Sequence, residues 1–160
     1  MVAGVSGQEG AVSDQFWEPK SDFPDRVASD EALQAVAERN DTRVQAAREQ
    51  LYASGLDLEQ AAQRIGVQPN QVNDLLRDGD LLALDGPNGL RLPAWQFDRK
   101  ARHGRLEGIA RVAAEFPGQL LWLSSWMAQP NPVLDGRTPR QAMLDGDVEQ
   151  VVTAAANVGR

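Results

Sequence analysis

The chain has 160 residues, 42% of them hydrophobic, and a formal charge of -7 at neutral pH. That suffices for a modest core and argues against indiscriminate adhesion of the whole surface to nucleic acid or anionic lipid. It holds no cysteine, which excludes disulfides and thiolate metal sites, and no run approaches the ~20 apolar residues of a membrane span. With no basic region followed by an apolar one at the N-terminus, the expected location is the cytoplasm. Charge is unevenly spread: residues 55–105 hold seven acids and seven bases, while both flanks carry an excess of acid.

Residues 1–28 are rich in Gly, Ser, Pro and acids without any period and read as a disordered arm, in which Phe16, Trp17 and Phe23 stand out as anchors. From Asp30, an expected N-cap, helix formers with Leu33, Val36, Ala37, Val44, Ala47 and Leu51 at helical spacing predict a helix ending near Gly55. Asn40-Asp41-Thr42 could split it in two. Positions 37, 44 and 51 lie seven apart, which raises the possibility of a homodimer seam beside that of packing onto the next domain.

A capped short helix follows, from Asp57 through Leu58, Ala61, Ala62 and Ile65. Gly66 permits a tight turn, Val67 plugs it, and Pro69 opens a second helix burying Val72, Leu75 and Leu76. A small residue at the crossing, glycine four later and apolar residues six and nine beyond that form a helix-turn-helix signature. Leu82 and Leu84, a turn over 85–89, then Leu90 and Leu92 predict a β-hairpin placed like a wing, with Trp95 and Phe97 over its base. Arg99, Lys100, Arg102 and Arg105 make a basic run. A helix over "RLEGIARVAAEF", with Leu106 inward, closes at Pro117-Gly118.

"QLLWLSSWMAQ" reads as an apolar helix with Trp122 and Trp126 on one face, as core or as an interaction surface. Pro130 and Pro132 then forbid helix, so the chain crosses as a stiff strut pinned by Leu134. Asp135-Gly136 turns it, and Thr138 and Pro139 start a helix carrying Ala142, Met143 and Leu144. Asp145-Gly146-Asp147 breaks that helix, and a last one carries Val148, Val151, Val152 and Ala155.

The stretch "WMAQPNPVLDGRTPRQAML", with Trp126, Pro130, Asn131, Leu134, Gly136, Arg137, Thr138, Pro139 and Leu144 at matching places, resembles the hallmark of the Xre/MbcA/ParS toxin-binding domain. The resemblance covers residues 106–160. It implies an antitoxin of a type II toxin-antitoxin system that neutralises an NAD-consuming RES-domain toxin through this module and represses its operon through the helix-turn-helix. It further implies toxin contacts by Trp122, Trp126, Arg137, Arg140, Val151, Asn157, Val158, Gly159 and Arg160. The hairpin and the acidic extension depart from the commonest form of that family.

The expected architecture is therefore mainly α, with an arm over 1–28, a helix-turn-helix and wing within 29–105, and a helical toxin-binding domain over 106–160. A second reading is a stand-alone regulator. In it Gln68, Asn70, Gln71 and Asn73 face base edges of operator DNA, while Arg77, Arg91, Arg99, Lys100 and Arg102 hold phosphates. Asp74 and Asp78 oppose this by repelling the backbone. A third is an interaction module docking through its hairpin. No enzyme, metal or cofactor is expected, because His103 is the sole histidine and no phosphate-cradling glycine motif is present.

Overall fold

A computed structural model describes residues 29–160; the arm expected over 1–28 and its aromatic anchors lie outside the described residues. The chain divides into two compact units, Met1–Val44 and Gln45–Arg160. Helix α1, Asp30–Ala53, runs through the division. In the first unit Ser29 rather than Asp30 is the cap: its hydroxyl accepts from the Ala32 amide at 3.1 Å. Asn40-Asp41-Thr42 does not split the helix. Each costs only a few tenths of a kcal/mol in propensity, and the Thr42 hydroxyl donates back to the Glu38 carbonyl at 2.8 Å. Leu33, Val36 and Val44 are exposed.

In the second unit, α2 spans Leu58–Ile65 and α3 spans Pro69–Asp78. Asp57 and Gln60 form a capping box, each accepting from the other's amide at 2.8 and 2.9 Å. Gly66 turns the chain in the left-handed region at φ 74°, which a side-chain-bearing residue enters only with strain. Ala62 and Val72 are buried where the helices meet, as the spacing predicts.

Strands β1, Leu84–Gly86, and β2, Gly89–Arg91, pair antiparallel around Pro87-Asn88. The hairpin is shorter than expected, because the flanking leucines find other partners. Leu92 exchanges both backbone hydrogen bonds with Leu56 at 2.7 and 2.8 Å. The Leu82 backbone is taken by the side-chain amide of Gln96, which is wholly buried. Tyr52, near the end of α1, fixes the hairpin tip: its hydroxyl donates to the Gly89 carbonyl and accepts from the Asn88 amide, at 2.8 and 2.9 Å. Gly86 is needed there, since a Cβ would lie 2.1 Å from the Tyr52 ring.

After a 3-10 turn at Ala94–Gln96 and an irregular segment, α4 covers Ile109–Glu115, α5 Leu120–Met127, α6 Pro139–Leu144 and α7 Val148–Ala156. Helix α4 starts later than expected. Gly108 sits at φ 90°, outside helical geometry, and Leu106 is buried in extended chain with its amide bonded to Gln96 O. One hydrophobic cluster runs from Leu56, Ala62 and Val72 through Leu81, Leu92 and Phe97 to Val112, Leu134, Met143, Val151 and Ala155. The helix-turn-helix and the C-terminal helices therefore share a core. Among the described residues no helix is long and apolar enough to cross a membrane.

Candidate nucleic-acid interface

On α3, Val72, Leu75 and Leu76 face inward, which leaves Asn70, Asn73, Asp74 and Arg77 on one exposed stripe at spacings of three and four. Gln68 and Gln71 are exposed at its start. Gln71 serves the helix as well, because its Oε1 accepts from the Gln68 amide at 2.9 Å; only its NH2 remains to donate outward. Asp74, an acid on this exposed stripe, is paired with Arg77 at 2.6 Å. Arg77 is thus partly committed to that pair.

Beside α3 lies an open groove of about 880 Å³. One wall is the helix-turn-helix, with Gln63, Arg64, Val67, Gln71, Asp74 and Leu75; the other is the loop with Arg99, Arg102, His103, Gly104 and Arg105. The loop is pressed onto the end of α2, for a Cβ on Gly104 (φ 76°) would meet the Arg64 carbonyl at 3.1 Å. The fold therefore brings Arg99 and Arg102 to the flank of α3, and adds Arg64 and Arg105, which were not among the predicted contacts. Lys100 lines a separate depression with Met143 and Val148, between loop and C-terminal helices.

The basic residues of this half of the chain differ in how they are engaged. Arg77, Arg111, Arg137 and Arg140 all form ion pairs. Among the described residues none of Arg64, Arg99, Arg102 or Arg105, which line the groove, forms one, and neither does Lys100 beyond it. Arg91 is engaged differently: its guanidinium lies 5.2 Å from the Tyr52 ring centroid and donates to the Asn88 and Leu90 carbonyls. The sequence suggested a phosphate contact there; in the structure one terminal nitrogen of Arg91 braces the hairpin, whose tip carries no other base.

The C-terminal hallmark is used internally at almost every position. The Asn131 Oδ1 accepts from the Val133 amide at 2.9 Å, and its backbone joins Arg137, Leu134 and Gly136. Leu134 is fully buried, Asp135 and Gly136 turn at φ 59° and 82°, and Thr138 caps α6 through the Gln141 amide at 3.0 Å. Arg137 bridges Asp147 at 2.8 Å and Asp145 at 3.0 Å. Those two carboxylates raise its pKa, and Arg137, followed by Gln141, holds that of Asp145 below the usual carboxylate range. Arg140 donates to the Trp95 and Phe97 carbonyls and to Asp98 at 2.8–2.9 Å.

Of the residues implicated in toxin contact, Val151 is corrected to core, being completely buried on the inner face of α7. Trp126 is half-buried against Phe116, their ring centroids 5.5 Å apart. Trp122 is 52% exposed, and Asn157, Gly159 and Arg160 are exposed beside the half-buried Val158.

The fold, a helix-turn-helix with a two-stranded hairpin carried on further helices, is similar to that in the NMR structure of Rv2175c. The TM-score is 0.50 at 21% sequence identity, over 66% of this chain and 81% of that one. At that identity the likeness is one of fold. No protein-family model matches the chain, nor does any curated protein.

Proposed function

We propose that the protein is a DNA-binding transcription regulator whose α3 reads base edges in the major groove while the loop of residues 98–105 grips the adjoining backbone. One observation carries this: Arg64, Arg99 and Arg102, which form no ion pair among the described residues, line a groove with Gln71 of α3, the helix that also exposes Asn70 and Asn73. Amides of Asn70 and Asn73 can pair with adenine, and guanidinium groups hold phosphates in two-pronged fashion. The molecule's net negative charge works against sequence-blind adhesion, which leaves affinity dependent on this local cluster. Incubating the full chain with a random duplex pool and sequencing what is retained tests the reading. Enrichment of a defined motif is expected, with log K falling against log salt by about 0.9 per phosphate engaged. Absence of retained duplex even at low salt would sink it.

The antitoxin reading is a second proposal, favoured by the spacing of the Trp126–Leu144 hallmark and by the half-exposed Trp122, a large apolar side chain facing solvent on an apolar helix. In it a RES-domain toxin binds the C-terminal helices and loses its NAD-consuming activity. Purification from the native host with an N-terminal tag distinguishes the two. Stoichiometric recovery of such a toxin, with binding weakened by Trp122→Ala, supports it; recovery of DNA without a protein partner counts against it.

A further inference from the structure

The loop that carries the groove's cations has little regular structure to hold it. Its backbone closes on itself through short-range bonds: Ala101 N to Asp98 O at 3.0 Å, Gly104 N to Ala101 O at 3.0 Å and Asp98 N to Gly104 O at 3.1 Å. Such a closed turn fixes its own shape but not its attachment to the rest of the molecule. The attachment comes from Gly104 against α2, from Phe97 paired with Arg105, and from Arg140.

Arg140 reaches the loop's stem from α6. Its Nε donates to the Trp95 carbonyl at 2.8 Å, and one terminal nitrogen donates to both the Phe97 carbonyl and the Asp98 carboxylate at 2.9 Å. The guanidinium fork is rigid and α6 is itself anchored, with Pro139, Ala142 and Met143 buried. Asp98 in turn accepts from the Lys100 amide at 2.8 Å, so one carboxylate connects the arginine to the backbone of the basic loop.

The pairing does a second thing. Asp98 is adjacent in sequence to Arg99, and a free carboxylate there would compete with DNA phosphate for that cation. Occupied by Arg140, it does not. We infer that Arg140 is a positioning residue for DNA binding: it seats the loop so that Arg99 and Arg102 face the flank of α3, and it withholds Asp98 from them. The inference rests on the DNA-binding reading. It makes the C-terminal helices a working part of the DNA site, although none of them lines the groove beside α3.

The test uses the full chain and a fluorescent duplex recovered in the selection. The wild type, Arg140→Gln and Arg140→Lys are titrated across a salt series, each well below its own unfolding midpoint. The same changes are then made in an Arg99→Ala/Arg102→Ala background. Arg140→Gln is expected to weaken binding about tenfold and to make the salt slope shallower by about 1 to 2, as for loss of phosphate contacts. In the background without loop arginines the same change should alter affinity by no more than about twofold, because nothing remains to be positioned. Arg140→Lys keeps the charge but cannot span three acceptors, so it should fall between, and it carries the comparison if Arg140→Gln does not fold. Equal losses in both backgrounds, or no loss in the wild-type background, overturn the inference while leaving the DNA-binding reading intact. Failure of the wild type to bind any duplex overturns the reading itself.

Discussion

The side chain of Gln96 makes a complete amide pair with the backbone of Leu82: its Oε1 accepts from the Leu82 N–H at 2.6 Å and its Nε2 donates to the Leu82 C=O at 2.8 Å. A second bond from Nε2 reaches the Pro93 carbonyl at 3.2 Å. One side chain thus replaces a strand where the hairpin ends. Gln96→Leu leaves those backbone groups without partners and should cost about 2–4 kcal/mol in urea unfolding. Gln96→Glu keeps the acceptor but turns a carboxylate toward two carbonyls, so it should be worse at neutral pH than near pH 4, where the carboxyl can protonate.

Gly86→Ala should destabilise the hairpin by about 1–3 kcal/mol, because the new methyl overlaps the Tyr52 ring. In a Tyr52→Ala background the same substitution should cost markedly less. Unfolding of the two single variants and the double variant measures this coupling; simple additivity would show that the ring can move aside freely.

Acid should weaken the contacts around the loop and the C-terminal turn. Asp98 is held below the ordinary carboxylate pKa by the Lys100 amide and by Arg140, and Asp145 by Arg137 and Gln141. Depressed folded-state values mean that the stabilisation is present above the unfolded-state pKa, about 4, and is lost as pH falls through the folded one. Asp98→Asn and Asp145→Asn should therefore be less stable than wild type at pH 7, and the difference should shrink at more acidic pH. A difference that grew on acidification would reverse the sign of this linkage.

Substitutions on α3 and on the loop should separate two kinds of recognition. Asn70→Ala and Asn73→Ala should each relax preference at one base position by about 1–3 kcal/mol. Arg99→Ala and Arg102→Ala should weaken all duplexes alike and reduce the salt slope by about 1 each. Arg91→Ala should instead lower the melting temperature, since that side chain braces Tyr52. Competition titrations against single-position variants of the selected duplex, together with melting curves, discriminate these outcomes.

Removal of the chain from Pro130 onward should abolish cooperative unfolding, because it strips Leu134, Ala142, Met143, Val151, Ala154 and Ala155 from the shared core. A sharp thermal transition in the remaining fragment would mean that the helix-turn-helix can complete its core alone. Trp122→Ala, by contrast, should leave stability within about 1 kcal/mol of wild type, since half of that side chain already meets water.

The helix-turn-helix was legible in the sequence because its determinants are local. Asp57 and Gln60 cap one helix, Gly66 turns the chain, Pro69 starts the next, and Ala62 and Val72 sit where a crossing requires them. The hairpin's length was not legible, because Leu82 and Leu92 are spoken for by Gln96 and Leu56, groups that no periodicity connects. The groove was half legible. A basic run announces Arg99 and Arg102, but only the folding of Gly104 onto α2 adds Arg64. Arg137 and Arg140 look like surface cations in the sequence; their acceptors lie between 3 and 45 positions away.

The shared core has a consequence for synthesis. A ribosome delivers Leu81, Leu92 and Phe97 about 50 to 70 residues before α7, whose Val151 and Ala155 join their cluster, roughly three to thirteen seconds at ordinary elongation rates. During that interval the helix-turn-helix has all of its own sequence but only part of its apolar floor, and its uncovered leucines are open to chaperones or to aggregation. Stable packing of the helix-turn-helix is thereby deferred until α7 arrives, because Val151, Ala154 and Ala155 belong to the same cluster.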